Sequence, residues 1–194
     1  MYNLVEIFES LQGEGRNTGR KCIFVRFAGC NLKCPWCDTD IKARFSLELV
    51  SLIKELSQYS TKNVILTGGE PTIQPQMPEL VAALKAQGYW IAVETNGTND
   101  VEWLKFVDYV AVSPKAEFSE ALKLKVADEV RVVASSEAIV PFCQRLKMEI
   151  TATDYYVSPC DHEGKIDFAT AKAVLGKLEG WALSVQLHKI LGFR

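Results

Sequence analysis

No excess of basic residues marks this chain. Its net charge is −2, and Lys and Arg form no run, so nothing points to a surface built for a nucleic-acid backbone. No apolar stretch approaches the length that crosses a bilayer. The opening MYNLVEIFES is acidic and has no basic flank ahead of an apolar segment, so it does not read as a signal peptide, and a cytoplasmic chain without a membrane partner is expected. No repeat or low-complexity linker divides the 194 residues, and a single domain over 1–194 is expected. A fourth cysteine is also missing where one would be wanted. Cys30, Cys34 and Cys37 stand together in CNLKCPWCDTD, but the next cysteine, Cys143, lies far along the chain. Zinc closes its tetrahedron with four ligands in a structural site, and no local set of four thiolates exists here. In a reducing compartment a clustered trio reads as metal ligation rather than as a disulfide frame.

What is present is enough apolar material to build a core, 48% of the residues against 24% charged. Short runs rich in Val, Ile and Phe recur at 22–29, 63–69, 90–97, 109–115, 129–135, 154–160 and 181–188. Helical stripes lie between most of them. One is Leu49, Leu52, Ile53 and Leu56 after a candidate N-cap at Ser46; another is Leu80, Ala83, Leu84 and Gln87 before a stop at Gly88. A third is Val174, Leu175 and Leu178 after a candidate cap at Asp167. Strands alternating with helices predict an α/β fold, a mostly parallel sheet that is open or curled toward an incomplete (β/α) barrel. Polar and glycine-rich residues follow the strands at 30–39, 68–71, 94–97, 113–115 and 186–189. The carboxyl end of parallel strands is where ligands bind in such folds, so these loops predict one shared site.

A cluster of iron and sulfide is held by thiolates, and three cysteines leave one iron of a 4Fe–4S cluster without a protein ligand. Zinc with a remote fourth ligand, Cys160 or His162, is the alternative on ligand count. The C-x3-C-x2-C spacing, with Trp36 before its last cysteine, resembles the radical S-adenosylmethionine (SAM) superfamily. That resemblance implies a cluster on Cys30, Cys34 and Cys37 whose open iron chelates SAM and cleaves it to a 5′-deoxyadenosyl radical. TGGEP (67–71) is similar to the loop that receives the SAM amino group. Gly68 and Gly69 allow close backbone approach, and Glu70 brings a negative charge for an ammonium. The resemblance further implies SAM contacts from Trp36, Asp38, Glu94, Asn96, Ser113, Pro114 and Lys115.

SLQGEG (10–15), CNLKCPWCDT and the ending QLHKILGF (186–193) narrow this further, since together they resemble the 7-carboxy-7-deazaguanine synthase family. The resemblance implies an ammonia-eliminating lyase that contracts the ring of 6-carboxy-5,6,7,8-tetrahydropterin on the path to queuosine. The deoxyadenosyl radical would take hydrogen from C6, the ring would contract through a nitrogen-bridged radical that takes hydrogen back, and ammonia would leave. It implies a substrate loop at 9–16 with Leu11, Gln12, Gly13 and Glu14, a cluster loop at 29–40, and a substrate tail at 186–194 carrying His188. Thr67 and Arg26 join the substrate group, and the Thr39 hydroxyl ligates Mg²⁺ alongside the substrate. A homodimer and a low-potential donor, a flavodoxin or ferredoxin, are implied as partners. On their own chemistry, a carboxylate such as Glu14 suits the N–H edge of a pterin. The Arg26 guanidinium suits either a salt bridge within the strand or a substrate carboxylate. Two rival readings remain at this point: an activase of a glycyl-radical enzyme, and a zinc-binding scaffold with no catalysis. Cys22 and Cys143 read as core; His162 matches no motif.

Overall fold

The computed structural model describes residues 1–194 except Trp36, Asp38, Glu163 and Arg194, and at His162 only the backbone. Its strands are β1 (Tyr2–Leu11), β2 (Lys21–Phe27), β3 (Phe45–Leu47), β4 (Asn63–Gly68), β5 (Trp90–Thr95), β6 (Tyr109–Val112), β7 (Glu129–Ala134), β8 (Asp154–His162), β9 (Lys165–Asp167) and β10 (Ala182–Leu183). The helices are α1 (Leu49–Leu56), α2 (Met77–Ala86), α3 (Val140–Glu149), α4 (Phe168–Leu175) and α5 (Leu187–Leu191). The strands form one sheet in the order β10-β8-β7-β6-β5-β4-β2-β1-β3, with β9 paired to β8. From β2 to β10 every neighbouring pair is parallel; β1 runs antiparallel to both β2 and β3. The sheet is a mostly parallel, incomplete barrel flanked by helices, as the alternation of elements predicts.

Strand periodicity sorts the side chains into two layers. Outward residues such as Val64, Leu66, Val93, Val130 and Val132 pack with Leu52 and Leu56 of α1, Leu80 and Leu84 of α2, and Leu146 of α3. Each fully buried Leu or Ile of this kind contributes about 1.5–3 kcal/mol. Inward residues form a second, smaller cluster of Cys22, Phe24, Ile65, Ala92, Tyr109 and Ala111. Phe8 stacks on Phe24 at 5.1 Å and extends this layer. Cys22 and Cys143 are both fully buried, one in each cluster.

Three features depart from the sequence expectations. β1 is a full strand, although its acidic residues hide the pattern; Glu6 and Glu9 are paired across the sheet with Arg26 and Lys21 of β2. Ser46 does not cap α1. It lies in β3, where its hydroxyl donates to Asn3 Oδ1, and Glu48 precedes the helix instead. The stretch 181–188 yields only the two residues of β10 before the chain turns into α5, so His188 sits on a short helix. Asp167 does cap α4, accepting from the Thr170 N–H at 3.0 Å. Among the described residues no helix is long and apolar enough to cross a membrane.

Candidate active site

The glycine loop after β4 is fixed by backbone. Gly69 N–H donates to the Phe27 carbonyl at 3.0 Å, and Glu70 N–H to the Gly29 carbonyl at 2.9 Å. A Cβ on Gly69 would collide with the Gly29 carbonyl, and Gly68 has φ +129°. Glycine is therefore required where this loop touches the start of the cysteine loop. Glu70 corrects the sequence reading of a charge offered to a ligand. Its side chain is fully buried, and one carboxylate oxygen accepts from Thr72 N (3.0 Å), Thr72 Oγ1 (2.6 Å) and Thr95 Oγ1 (2.7 Å) while the other accepts from Asn96 N (2.7 Å). Glu70 ties two loops together and does not line the cavity.

Cys30 and Cys34 are half-buried and Cys37 is exposed. Burial pushes the Cys30 and Cys34 thiols up, and the charge of Lys115 opposes this at Cys34. Each of those two thiols also feels the charge of Cys37, so the three share one neighbourhood. The loop is clamped by a pair of asparagines: Asn96 Nδ2 donates to Asn31 Oδ1 at 3.0 Å, and Asn31 Nδ2 donates to Thr98 Oγ1 at 2.7 Å. Among the described residues no three His, Cys, Asp or Glu side chains converge as a single ion would require. An iron–sulfur cluster takes its thiolates on separate irons, so it does not require them to converge on one point. Trp36 and Asp38, expected at the SAM site, lie outside the described residues.

A cavity of about 560 Å³ opens beside these loops. Thr39, Gly68, Gly69, Asn96, Ser113 and Lys115 line it together with Leu11, Gln12, Gly13, Glu14, Arg26, Thr67, Glu94 and His188. Pro114 does not line it. Lys115 donates to Ser113 Oγ at 2.8 Å, and burial holds its ammonium below the usual lysine range. Glu94, expected beside SAM, lines the same cavity and contacts Gln12 and Thr67, which were expected at the substrate. It accepts from Gln12 Nε2 at 2.9 Å and Thr67 Oγ1 at 3.0 Å, and pairs with Arg131 at 2.8 Å. Burial pushes the Glu94 carboxyl up, but Arg131, Gln12 and Thr67 outweigh it and bring it down to about 2. Glu94 is therefore ionised throughout the neutral range. A depressed carboxyl of this kind stabilises the fold above its unfolded value of about 4.5, and that contribution is lost as pH falls toward about 2.

The loop 9–16, expected to meet the substrate, reaches this cavity from an unexpected direction. Because β1 runs against its neighbours, Leu11 lies opposite Lys21 at the amino end of β2. From there the loop crosses to the far edge of the sheet. Gly15 N–H donates to Ser184 Oγ at 2.9 Å, Arg16 N–H to Glu129 at 3.0 Å, and Leu187 N–H to the Gly13 carbonyl at 3.0 Å. A Cβ on Gly13 would strike the His188 ring, so the imidazole rests on that glycine. Arg26 binds Glu6 through Nε at 2.8 Å while lining the cavity, so it serves the strand pair and faces the ligand space at once. Arg131 and Ser158 were missed in the sequence. Both line the cavity, and Ser158 Oγ is buried with no hydrogen-bond partner among the described residues. An orphaned hydroxyl in a cavity wall calls for a polar ligand atom. Cys160 also lines the cavity and is buried.

The model of the Radical SAM superfamily matches residues 24–157, the class that this sheet and cysteine loop define. A 7-carboxy-7-deazaguanine synthase of Neisseria meningitidis serogroup B is 43% identical over 201 residues, covering 98% of this chain and 93% of that protein. One of Haemophilus influenzae is 41% identical over 200 residues, with the same coverage of 98% and 93%. The crystal structure of QueE from Escherichia coli superimposes with a TM-score of 0.74 at 24% identity, over 96% of this chain and 94% of that one, and shares the fold. The chain belongs to the 7-carboxy-7-deazaguanine synthase family of radical SAM proteins.

Proposed function

We propose that this chain contracts 6-carboxy-5,6,7,8-tetrahydropterin to 7-carboxy-7-deazaguanine with loss of ammonia, in the synthesis of queuosine and related deazapurines. The observation that carries the reading, beside family membership, is that one cavity joins the cysteine and glycine loops to Gln12, Glu14, Arg26, Thr67 and His188. Cys30, Cys34 and Cys37 would hold the 4Fe–4S cluster, which with bound SAM supplies a one-electron route for removing hydrogen from carbon. The protein's residues orient the reactants and exclude water. Arg26, steadied by Glu6, offers its guanidinium to the substrate carboxylate. Glu14 and Glu94 accept from the N–H edge of the pyrimidinone. Gly69, Ser113, Lys115 and the orphaned Ser158 hydroxyl offer polar contacts to SAM. Thr39 offers its hydroxyl to Mg²⁺, an ion that keeps few protein ligands. The deciding experiment is anaerobic incubation of the reconstituted enzyme with the carboxypterin, SAM, Mg²⁺ and a reductant; a product without the deazaguanine mass overturns the reading.

We also place the enzyme in the cytoplasm as a homodimer, reduced by a flavodoxin or ferredoxin. What supports the dimer is the short edge strand β10, with Leu183, Ile190 and Leu191 exposed on it and after it. Sedimentation velocity tests the dimer, and turnover with each donor tests the reductant. If Thr39 ligates Mg²⁺, Thr39→Ala weakens the dependence of product formation on added Mg²⁺ and spares SAM binding; an unchanged Mg²⁺ titration removes Thr39 from the ion. Arg26→Ala, and separately a chain ending before His188, are expected to keep cluster and SAM but to weaken carboxypterin binding. For Arg26→Ala the loss is roughly 2–5 kcal/mol, because the ligand carboxylate is left unpaired. Titration of the carboxypterin checks this, and parent-like binding by both variants removes these residues from the substrate site.

A further inference from the structure

Arg131 is buried, and each of its three nitrogen positions meets a different carboxylate. Nη1 lies 2.9 Å from Glu14, Nη2 2.8 Å from Glu94, and Nε 3.0 Å from Glu129. The three acids come from the loop after β1, from β5 and from β7. Setting three carboxylates, one of them buried, on one buried guanidinium leaves an excess of negative charge, which is a poor design for a bridge whose task is stability alone. The three also differ in where they point. Glu129 does not line the cavity and is engaged from behind by the Tyr109 hydroxyl at 2.7 Å and the Arg16 N–H at 3.0 Å. Glu14 and Glu94 do line it.

We infer that Arg131 is the positioning residue of the substrate pocket: anchored by Glu129, it sets the spacing of the Glu14 and Glu94 carboxylates that receive the ligand's N–H edge. The guanidinium is planar and rigid, so the fork that binds the two acids fixes their separation, as a lysine ammonium cannot. It also helps to keep Glu94 charged, since its pull, with the hydrogen bonds from Gln12 and Thr67, overcomes burial there. This rests on the functional reading above, in which the occupant is a pterin with such an edge.

The test uses the reconstituted enzyme with SAM bound and follows carboxypterin binding by calorimetry from about pH 6 to about pH 9. Two variants serve: Arg131→Lys, and the double variant Arg131→Gln with Glu129→Gln, which removes the guanidinium together with the acid that anchors it. Lys115 and Tyr156 also feel the guanidinium, with Tyr109, Arg16 and Asp154 around Glu129, so each variant is read against the parent profile. In the double variant Glu94 loses the pull of Arg131, and only Gln12 and Thr67 still oppose its burial. Its carboxyl is then protonated toward low pH, and affinity is expected to fall tenfold or more there and to recover as pH rises. Arg131→Lys keeps the charge but loses the fork, and is expected to lie between, with weaker pH dependence. Cluster iron and the spectrum of the SAM-bound cluster stay as in the parent. Parent-like affinity at every pH overturns the proposal, and so does a loss by the same factor at every pH, the result of a merely structural role. If the double variant does not retain its cluster, Arg131→Lys decides by its affinity across the same pH range. A parent that fails to bind the carboxypterin overturns the functional reading itself, whereas a binding parent with unaltered variants overturns only the role of Arg131.

Discussion

Replacing any one of Cys30, Cys34 and Cys37 by Ala is expected to abolish SAM cleavage and all product formation, with the bound iron lost or degraded. The three thiols sit on one loop, and both Cys30 and Cys34 feel the charge of Cys37. Cys22→Ser, Cys143→Ser and Cys160→Ser are expected to keep their iron. The first two place a hydroxyl in a dry core, which costs about 1–3 kcal/mol in stability unless it finds a partner. Iron and sulfide analysis beside a turnover assay checks all six variants, and full iron with turnover in Cys34→Ala would overturn the ligand assignment.

The second large effect is expected at a residue that need touch no ligand. Glu70 accepts four hydrogen bonds from Thr72, Thr95 and Asn96, two of them from backbone N–H groups. Glu70→Gln keeps the shape but turns an amide N–H₂ toward a donor on one side, and Glu70→Ala leaves all four donors buried without an acceptor. Each buried unpaired group costs about 1–3 kcal/mol. The Ala variant is therefore expected to lose several kcal/mol, lowering the melting temperature by roughly ten degrees or more. SAM binding falls with it, because the glycine loop and the Asn96 loop are no longer held together. The Gln variant should fall between Ala and the parent. An Ala variant that melts like the parent and loses only SAM affinity would restore Glu70 as a ligand.

What was legible in the sequence and what was not divide along the reach of the interactions. The cysteine trio, the TGGEP turn and the Ser113–Lys115 strand end could be read because their chemistry lies within a few residues. The parallel strands were equally plain, since they are buried on both faces and need no partner to be recognised. Arg131 had the same local sign as Arg26, a guanidinium interrupting an apolar strand, but its partners Glu14 and Glu94 lie in distant segments, and only the fold brings them to it. Glu70 was misread for a related reason. A charge in a glycine loop resembles an offer to a ligand, and nothing local reveals that Thr72, Thr95 and Asn96 already use it. β1 was hidden because its acidic residues are neutralised from the next strand, and His188 because two residues of pairing were enough to end β10.

The joining of Gly13 and Gly15 to Leu187 and Ser184 also sets an order of events during synthesis. The cysteine loop, the glycine loop and the Asn96 clamp all lie in the first 98 residues of the 194 and can find one another once that half of the chain is made. The pocket for the proposed substrate needs contacts between residues 13–15 and residues 184–187, and contacts of such long separation are slow to close. The cysteine and glycine loops and their clamp can therefore form well before the wall that Gly13 and Gly15 build with Leu187 and Ser184. A chain cut before α5 is then expected to form those loops and to lack the wall that closes the cavity on their far side.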